Sequence, residues 1–246
     1  MQRYFLNNEI ADTFTLTSDA DAFQHLGRVL RAKIGSQAEF VTPSQKVIYI
    51  AEVETLDRHE MVLRVIDEKD AGDIELPISI DLIVSPLKND RSDWLVQKAT
   101  ELGANRIIFT KMTRTVANWD RQLPKKQQRL QKIAQAAAEQ SHRLKIPEIV
   151  FMSWQDMLKV PKDAGIVAWE ESARHNEHAA LVSVVNHHQH SRLAMLFGPE
   201  GGLTENEIQD LRHHDFLSAG LGPRILRAET APLYALSAVS LLCELV

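Results

Sequence analysis

The sequence predicts an α/β protein in which a mostly parallel sheet, over residues 73–246, follows a small β-rich domain, over residues 1–72. Three observations carry this expectation. Short strand patterns crowd the N-terminal part, the polar stretch Asp67-Glu68-Lys69-Asp70-Ala71-Gly72-Asp73 interrupts them, and after Leu76-Pro77 apolar strands alternate with helical patterns. That alternation marks a parallel sheet covered by helices, and polar stretches of this kind are where domains meet.

In the first part, strands are expected from Tyr4 to Leu6, Thr13 to Leu16, Ala38 to Thr42, Val47 to Val53 and Met61 to Ile66, separated by turn clusters such as Thr42-Pro43-Ser44. Between the second and third, Phe23, Leu26, Val29 and Leu30 recur near the helical period, which predicts a helix from Asp19 to Arg31 with Gly27 as its weak point. Many short strands point to a small barrel. In the second part, strands are expected at Ile78 to Ser85, Arg106 to Thr110, Glu148 to Phe151, Gly165 to Trp169, Leu193 to Phe197 and Phe216 to Leu221. Ser92 is expected to cap a helix that stops at Gly103, and Thr204 with Glu207 to form a capping box. Pro232 suits the first turn of a last helix running to Val246. Apolar residues lie nearly all round that helix, so it must be covered on more than one side, inside this subunit or by a second copy; a homodimer is favoured.

A composition of 44% apolar and 25% charged residues is that of a folded globular protein. The lone Cys243 cannot form an internal disulfide, Met1 to Glu9 lacks the apolar run of an export signal, and Ala231 to Val246 falls short of the ~20 residues that span a membrane. A cytoplasmic protein without a membrane segment is expected. The net charge of −5 argues against a polyanion partner as a global property. Between Lys111 and Lys145, however, nine basic residues (Lys111, Arg114, Arg121, Lys125, Lys126, Arg129, Lys132, Arg143, Lys145) face two acidic ones, Asp120 and Glu139, a local charge of +7. His187-His188-Gln189-His190 and His213-His214 have no cysteine or carboxylate at ligand spacing beside them, so no metal is expected and solvated helix ends are the reading.

Two stretches point to chemistry. Leu196-Phe197-Gly198-Pro199-Glu200-Gly201-Gly202-Leu203-Thr204 follows an apolar strand and precedes a capped helix, the carboxyl end of a strand where α/β sheets bind ligands. Its glycines let backbone approach a ligand closely. It has neither the Gly-Lys-Ser/Thr ending of a Walker loop nor the dinucleotide spacing, which disfavours a nucleoside triphosphatase or a nicotinamide enzyme. The second stretch, Ala219-Gly220-Leu221-Gly222-Pro223-Arg224-Ile225-Leu226-Arg227-Ala228-Glu229-Thr230-Ala231-Pro232, follows the last strand. Two such loops separated by one helix are expected to wall one pocket, with Leu221, Ile225 and Leu226 as its apolar surface and Arg227 and Glu229 at its mouth.

Together the two loops resemble the cofactor-binding signature of SPOUT-class RNA methyltransferases, and more narrowly the 16S ribosomal RNA uridine-N3 methyltransferase family. The resemblance extends to Arg3-Tyr4-Phe5, His25-Leu26-Gly27-Arg28-Val29-Leu30-Arg31, Gln97-Lys98-Ala99-Thr100-Glu101-Leu102-Gly103 and Glu139-Gln140-Ser141-His142-Arg143. One departure is His142, where that family commonly has glycine. The resemblance implies a PUA-like β-barrel in front, a catalytic domain with a C-terminal trefoil knot, and a homodimer. It also implies S-adenosylmethionine held by Leu196, Phe197, Gly198, Glu200, Gly201, Gly202, Leu221, Gly222, Ile225, Leu226 and Arg227. The implied reaction is methylation of uridine N3 in 16S ribosomal RNA or the small ribosomal subunit. Glu229 is the expected base and Arg227 or Arg114 the expected partner of the uridine anion. Arg3, Arg28, Arg31, Arg114 and Arg143 are expected to hold RNA phosphates. The rival readings are another RNA position, such as one in transfer RNA, and a non-enzymatic ribosome-assembly factor.

Overall fold

The computed structural model describes residues 1–119, 122–171, 179–188 and 190–246. Asp120 and Arg121 of the basic segment, and Gln189 among the histidines, lie outside the described residues. The chain forms two units, Met1–Ile74 with Glu139–Lys145, and Glu75–Ala138 with Ile146–Val246.

The first unit is a five-stranded sheet in the order β1-β3-β4-β5-β2, from β1 (Arg3–Phe5), β2 (Thr13–Thr17), β3 (Gln37–Val41), β4 (Val47–Leu56) and β5 (Glu60–Asp70). Only β1 and β3 pair in parallel. Strand β5 continues past Ile66 because its far half pairs with β4 while its side chains stay exposed, so backbone pairing extends it where apolar alternation has stopped. Tyr4, Phe23, Leu26, Phe40, Val53, Met61 and Leu63 form the core, with Tyr4 stacked on Phe40 at 5.7 Å and Phe14 edge-on to Phe40 at 5.0 Å. The helix expected from Asp19 to Arg31 is shorter and wider. A single turn, α1 (Asp21–Phe23), opens into a π-helical turn over Gln24–Val29, closed by Leu30 N–H donating to the His25 carbonyl at 2.9 Å. Beyond it Arg31 takes a left-handed backbone with φ +55°, which no helix continues.

Arg3 is not a surface cation. Its side chain is 4% exposed, and Nε and Nη2 donate to Glu39 Oε2 at 3.0 and 2.8 Å. Nη1 donates to the carbonyls of His142 and Arg143. The same Glu39 oxygen lies 3.3 Å from His142 Nδ1. His142 stands at φ +57°, a backbone glycine adopts without strain, and this turn aims its carbonyl at Arg3. Arg143 is also buried, at 4% exposure. The expectation that Arg3 and Arg143 hold phosphates is therefore corrected: both are enclosed, and Arg3 is used up in fastening Glu139–Lys145 to β1. Removing one partner of a buried ion pair leaves the other charge stranded. Arg3→Met should accordingly lower the unfolding free energy by roughly 3–5 kcal/mol, read by urea denaturation, whereas exchange of a solvated arginine would change it by under about 0.5 kcal/mol.

The second unit is a six-stranded, fully parallel sheet in the order β11-β9-β10-β6-β7-β8. Its strands are β6 (Ser79–Val84), β7 (Arg106–Thr110), β8 (Glu148–Met152), β9 (Ala164–Ala168), β10 (Arg192–Phe197) and β11 (Phe216–Ala219). Helices α2 (Arg91–Glu101), α3 (Leu123–Gln140), α4 (Trp154–Leu158), α5 (Ala180–His187), α6 (Glu205–His213) and α7 (Thr230–Glu244) intervene. Both sheet faces are buried. Leu82, Val84, Ile107, Phe109, Leu193, Met195 and Phe197 enter one core, and the intervening Ile83, Ile108, Ala194 and Leu196 enter the other. This period of two is that of a strand covered on both sides. Ser92 does not cap α2: Asp90 occupies that position, and the Ser92 hydroxyl accepts from Leu87 N–H at 3.0 Å. The last helix begins at Thr230 rather than Pro232 and ends at Glu244. It packs on α2 and α5 through Ala235, Leu236 and Val239, and leaves Tyr234 and Leu241 exposed. Among the described residues no helix is long and apolar enough to cross a membrane.

Candidate active site

Strand β9 pairs with β10 on one side and β11 on the other, and Ala168 is level with both Phe197 and Ala219. The three chains therefore leave the sheet at one height. Their connections enclose a cavity of about 770 Å3, lined by Ala168, Trp169 and Glu170 after β9, Phe197 through Leu203 after β10, Leu221 through Glu229 with Ala231 after β11, and Arg91 from the start of α2. A volume of this size accommodates a nucleoside-sized ligand.

The loop after β10 is held from behind. A Cβ on Gly201 would lie 3.0 Å from Arg114 Cβ, so any other residue there would require Arg114 or the loop to give by a few tenths of an ångström. Arg114 Nη1 then donates to the carbonyls of Gly201 at 3.0 Å and Leu203 at 3.4 Å. Glu207 completes the joint: its carboxylate accepts from Thr113 N–H at 2.7 Å and from Thr204 N–H and hydroxyl, each at 2.8 Å, while the Thr204 hydroxyl caps α6. One carboxylate thus ties the segment after β7 to the glycine loop. Across the cavity, Gly222 turns the loop after β11 at φ +91°. Thr230 and Ala231 N–H both donate to the Arg227 carbonyl at 2.9 Å, setting Glu229 at the N-cap of α7.

Two carboxylates meet one guanidinium at the cavity wall. Arg91 Nη1 lies 3.4 Å from Glu200 Oε1 and 3.7 Å from Glu229 Oε2. Glu229 Oε2 is shut off from solvent and accepts no hydrogen bond among the described residues. Arg224, Ile225 and Arg227 are exposed on the loop that borders the cavity.

The RNA methyltransferase domain matches residues 74–240. The chain belongs to the RNA methyltransferase family. It is 38% identical over 256 aligned residues to ribosomal RNA small subunit methyltransferase E of Bacillus subtilis (strain 168), covering 100% of this chain and 98% of the relative. The protein of the same name from Mycobacterium bovis is 28% identical over 91% of this chain and 85% of its own. Among solved structures, ribosomal RNA small subunit methyltransferase E from Neisseria gonorrhoeae bound to S-adenosyl methionine superposes with a TM-score of 0.85 at 29% identity, covering 98% of both chains.

Of the residues singled out in the sequence, Phe197, Gly198, Glu200, Gly201, Gly202, Leu221, Gly222, Ile225, Leu226, Arg227 and Glu229 line the cavity of this family member. Leu196 does not: it is fully buried in the sheet core, on the opposite side of the strand from Phe197. Arg114 stands outside the lining and grips the back of the glycine loop. Arg28 and Arg31 are exposed on the first unit. Sequence reasoning missed the third wall, Trp169 and Glu170, whose signal was their place at the end of an apolar strand. It also missed Arg91, which no motif marks. Trp169 is overlaid by the Arg212 guanidinium, 5.3 Å from the ring centre. Among the described residues no group of three or more His, Cys, Asp or Glu side chains is arranged to hold a metal ion.

Burial opposes ionisation of Glu207, but the hydrogen bonds from Thr113 and Thr204 outweigh it and hold its carboxyl below the usual 4.5. A depressed folded value contributes stability that is complete above the unfolded value and disappears as pH falls through the folded one. The acid limb of the stability curve, measured by urea unfolding from pH 7 downward, should begin its loss as pH drops past about 4.5 and be less steep in Glu207→Gln. Superimposable slopes would remove Glu207 as the joint's anchor.

Proposed function

We propose that the protein transfers a methyl group from S-adenosylmethionine to N3 of a uridine in 16S ribosomal RNA, on the naked RNA or within the small subunit. The observation that carries this reading is the cavity bordered by three strand-end loops, with the solvent-free Glu229 oxygen, unbonded among the described residues, in its wall. The relatives named above act on small-subunit ribosomal RNA by name, and one of them by title is bound to S-adenosyl methionine.

The residues present fit that cofactor. Two glycine-bearing turns offer backbone to an adenine edge, Leu221, Ile225 and Leu226 offer apolar surface, and the two carboxylates suit a cationic ligand. Phe197, Gly198, Glu200, Gly201, Gly202, Leu221, Gly222, Ile225, Leu226 and Arg227 would hold it. Bound there, S-adenosylmethionine supplies an electrophilic methyl carbon open to in-line attack by a nitrogen lone pair. Uridine N3 carries a proton that must leave before its lone pair can attack, and Glu229 Oε2, with no hydrogen bond to surrender, is the group proposed to take it. Arg227, exposed on the bordering loop, balances the uridine anion. Arg114 acts one step back, through the carbonyls of the glycine loop.

In this reading residues 1–72, completed by the later segment Glu139–Lys145 that the expected boundary did not include, are a PUA-like RNA-binding domain with Arg28 and Arg31 as its phosphate contacts, and the rest of residues 73–246 is a SPOUT-like domain whose C-terminal part is knotted. A cytoplasmic homodimer is part of it: Tyr234, Leu241 and Leu245 are exposed apolar groups that a second copy would cover. The test is methyl transfer to small-subunit RNA followed by nucleoside analysis, which should yield 3-methyluridine. Glu229→Gln should lower kcat about 100-fold or more with its circular dichroism unchanged; near-normal turnover would exclude Glu229 as the base, and methylation at any other atom would exclude the N3 assignment.

A further inference from the structure

The ionisable groups that line the cavity are unequally placed. Glu170, Arg224 and Arg227 are exposed. Glu229 is the most enclosed, its side chain 13% exposed, whereas the side chains of Arg91 and Glu200 are 31% and 26% exposed and Glu200 as a whole residue is exposed. One guanidinium is thus shared by two carboxylates, at 3.4 and 3.7 Å, and neither separation is hydrogen-bonding length. Formally the group carries −1. A carboxylate oxygen that has lost water without gaining a donor is costly, and an added cation is what relieves it.

We propose that Glu200, Arg91 and Glu229 together select the ligand by its positive charge, so that the sulfonium methyl donor binds more tightly than the neutral thioether left after transfer. This rests on the methyl-donor reading above. The balance over one turnover is consistent with it. Before transfer, this −1 is matched by the net +1 of the donor. During transfer the N3 proton passes to Glu229, the N3 lone pair forms the new N–C bond, and the electron pair of the broken C–S bond stays on sulfur. Afterwards sulfur is neutral, Glu229 is neutral, and Arg91 is left with Glu200 alone. The shared guanidinium therefore leaves room for one cation and gives it up when the charge is spent, which favours release of the thioether once Glu229 has returned its proton to solvent.

Calorimetric titration of the full-length protein with S-adenosylmethionine and with S-adenosylhomocysteine tests this without turnover. In the wild type the sulfonium compound should bind roughly ten-fold more tightly, the size expected for one charge pair in a partly screened site. Glu229→Gln, which keeps the shape and removes the charge, should bring the ratio close to one by weakening the sulfonium compound alone. Arg91→Met should widen the ratio, because two carboxylates then lack their shared partner. An unchanged ratio in Glu229→Gln, or a narrowed one in Arg91→Met, would overturn the inference while leaving the methyl-donor reading intact. Failure of the wild type to bind either compound would instead overturn that reading and this inference with it. Should Arg91→Met not fold, Glu229→Gln decides alone.

Discussion

Parallel pairing of β9 with a neighbour on each side fixes the height at which three chains leave the sheet. Ala168, Phe197 and Ala219 stand side by side, and the connections that follow them have one common space to enclose. The glycine-bearing turns face each other because of strand register, not because one turn holds the other. Slipping β10 by a single residue would exchange its two faces, moving Leu196 and Phe197 into each other's cores and shifting the strand end relative to β9. That Leu196 is excluded from the cavity while Phe197 lines it is the same constraint seen at one position.

Register sets position, but rigidity comes from charge-assisted hydrogen bonds behind the loops. Glu207 collects donors from Thr113 and Thr204, and Arg114 returns two hydrogen bonds to the carbonyls of Gly201 and Leu203. Bonds to ionised groups are about twice as strong as neutral ones, so this small set immobilises the wall that contains three glycines. The opposite wall is anchored differently, by entering α7 directly after Glu229. A loop that would otherwise be mobile is thus held on both flanks, and the residues inside it are left to face the ligand.

Much of this was legible in the amino-acid order. The strands of the second unit show as apolar runs because both sheet faces are buried, and Thr204 with Glu207 announces the start of α6 by local chemistry alone. What escaped reading depends on partners distant in sequence. Arg3 looks like any N-terminal arginine until Glu39 and the turn at His142 surround it. Arg91 becomes a cavity residue only when α2 is brought beside loops more than a hundred positions away. The π turn over Gln24–Val29 has the apolar spacing of an ordinary helix, and a difference of one residue in hydrogen-bond reach leaves no trace in that spacing. Ser92 illustrates the converse, a good capping residue whose hydroxyl is taken by Leu87 two positions too late to start the helix.

The interleaving of the first unit bears on how the chain acquires its structure. Residues 139–145 complete a body whose other parts are all translated within the first 74 positions. Glu39 and Arg3 can meet early, yet the carbonyls that finish satisfying Arg3 emerge only after β6, α2 and β7 have been made. The front body must wait, incompletely closed, through the synthesis of about a quarter of the polypeptide, and its final closure is a long-range event of the kind that slows folding. A fragment cut after position 74 would lack the strap rather than merely a neighbour.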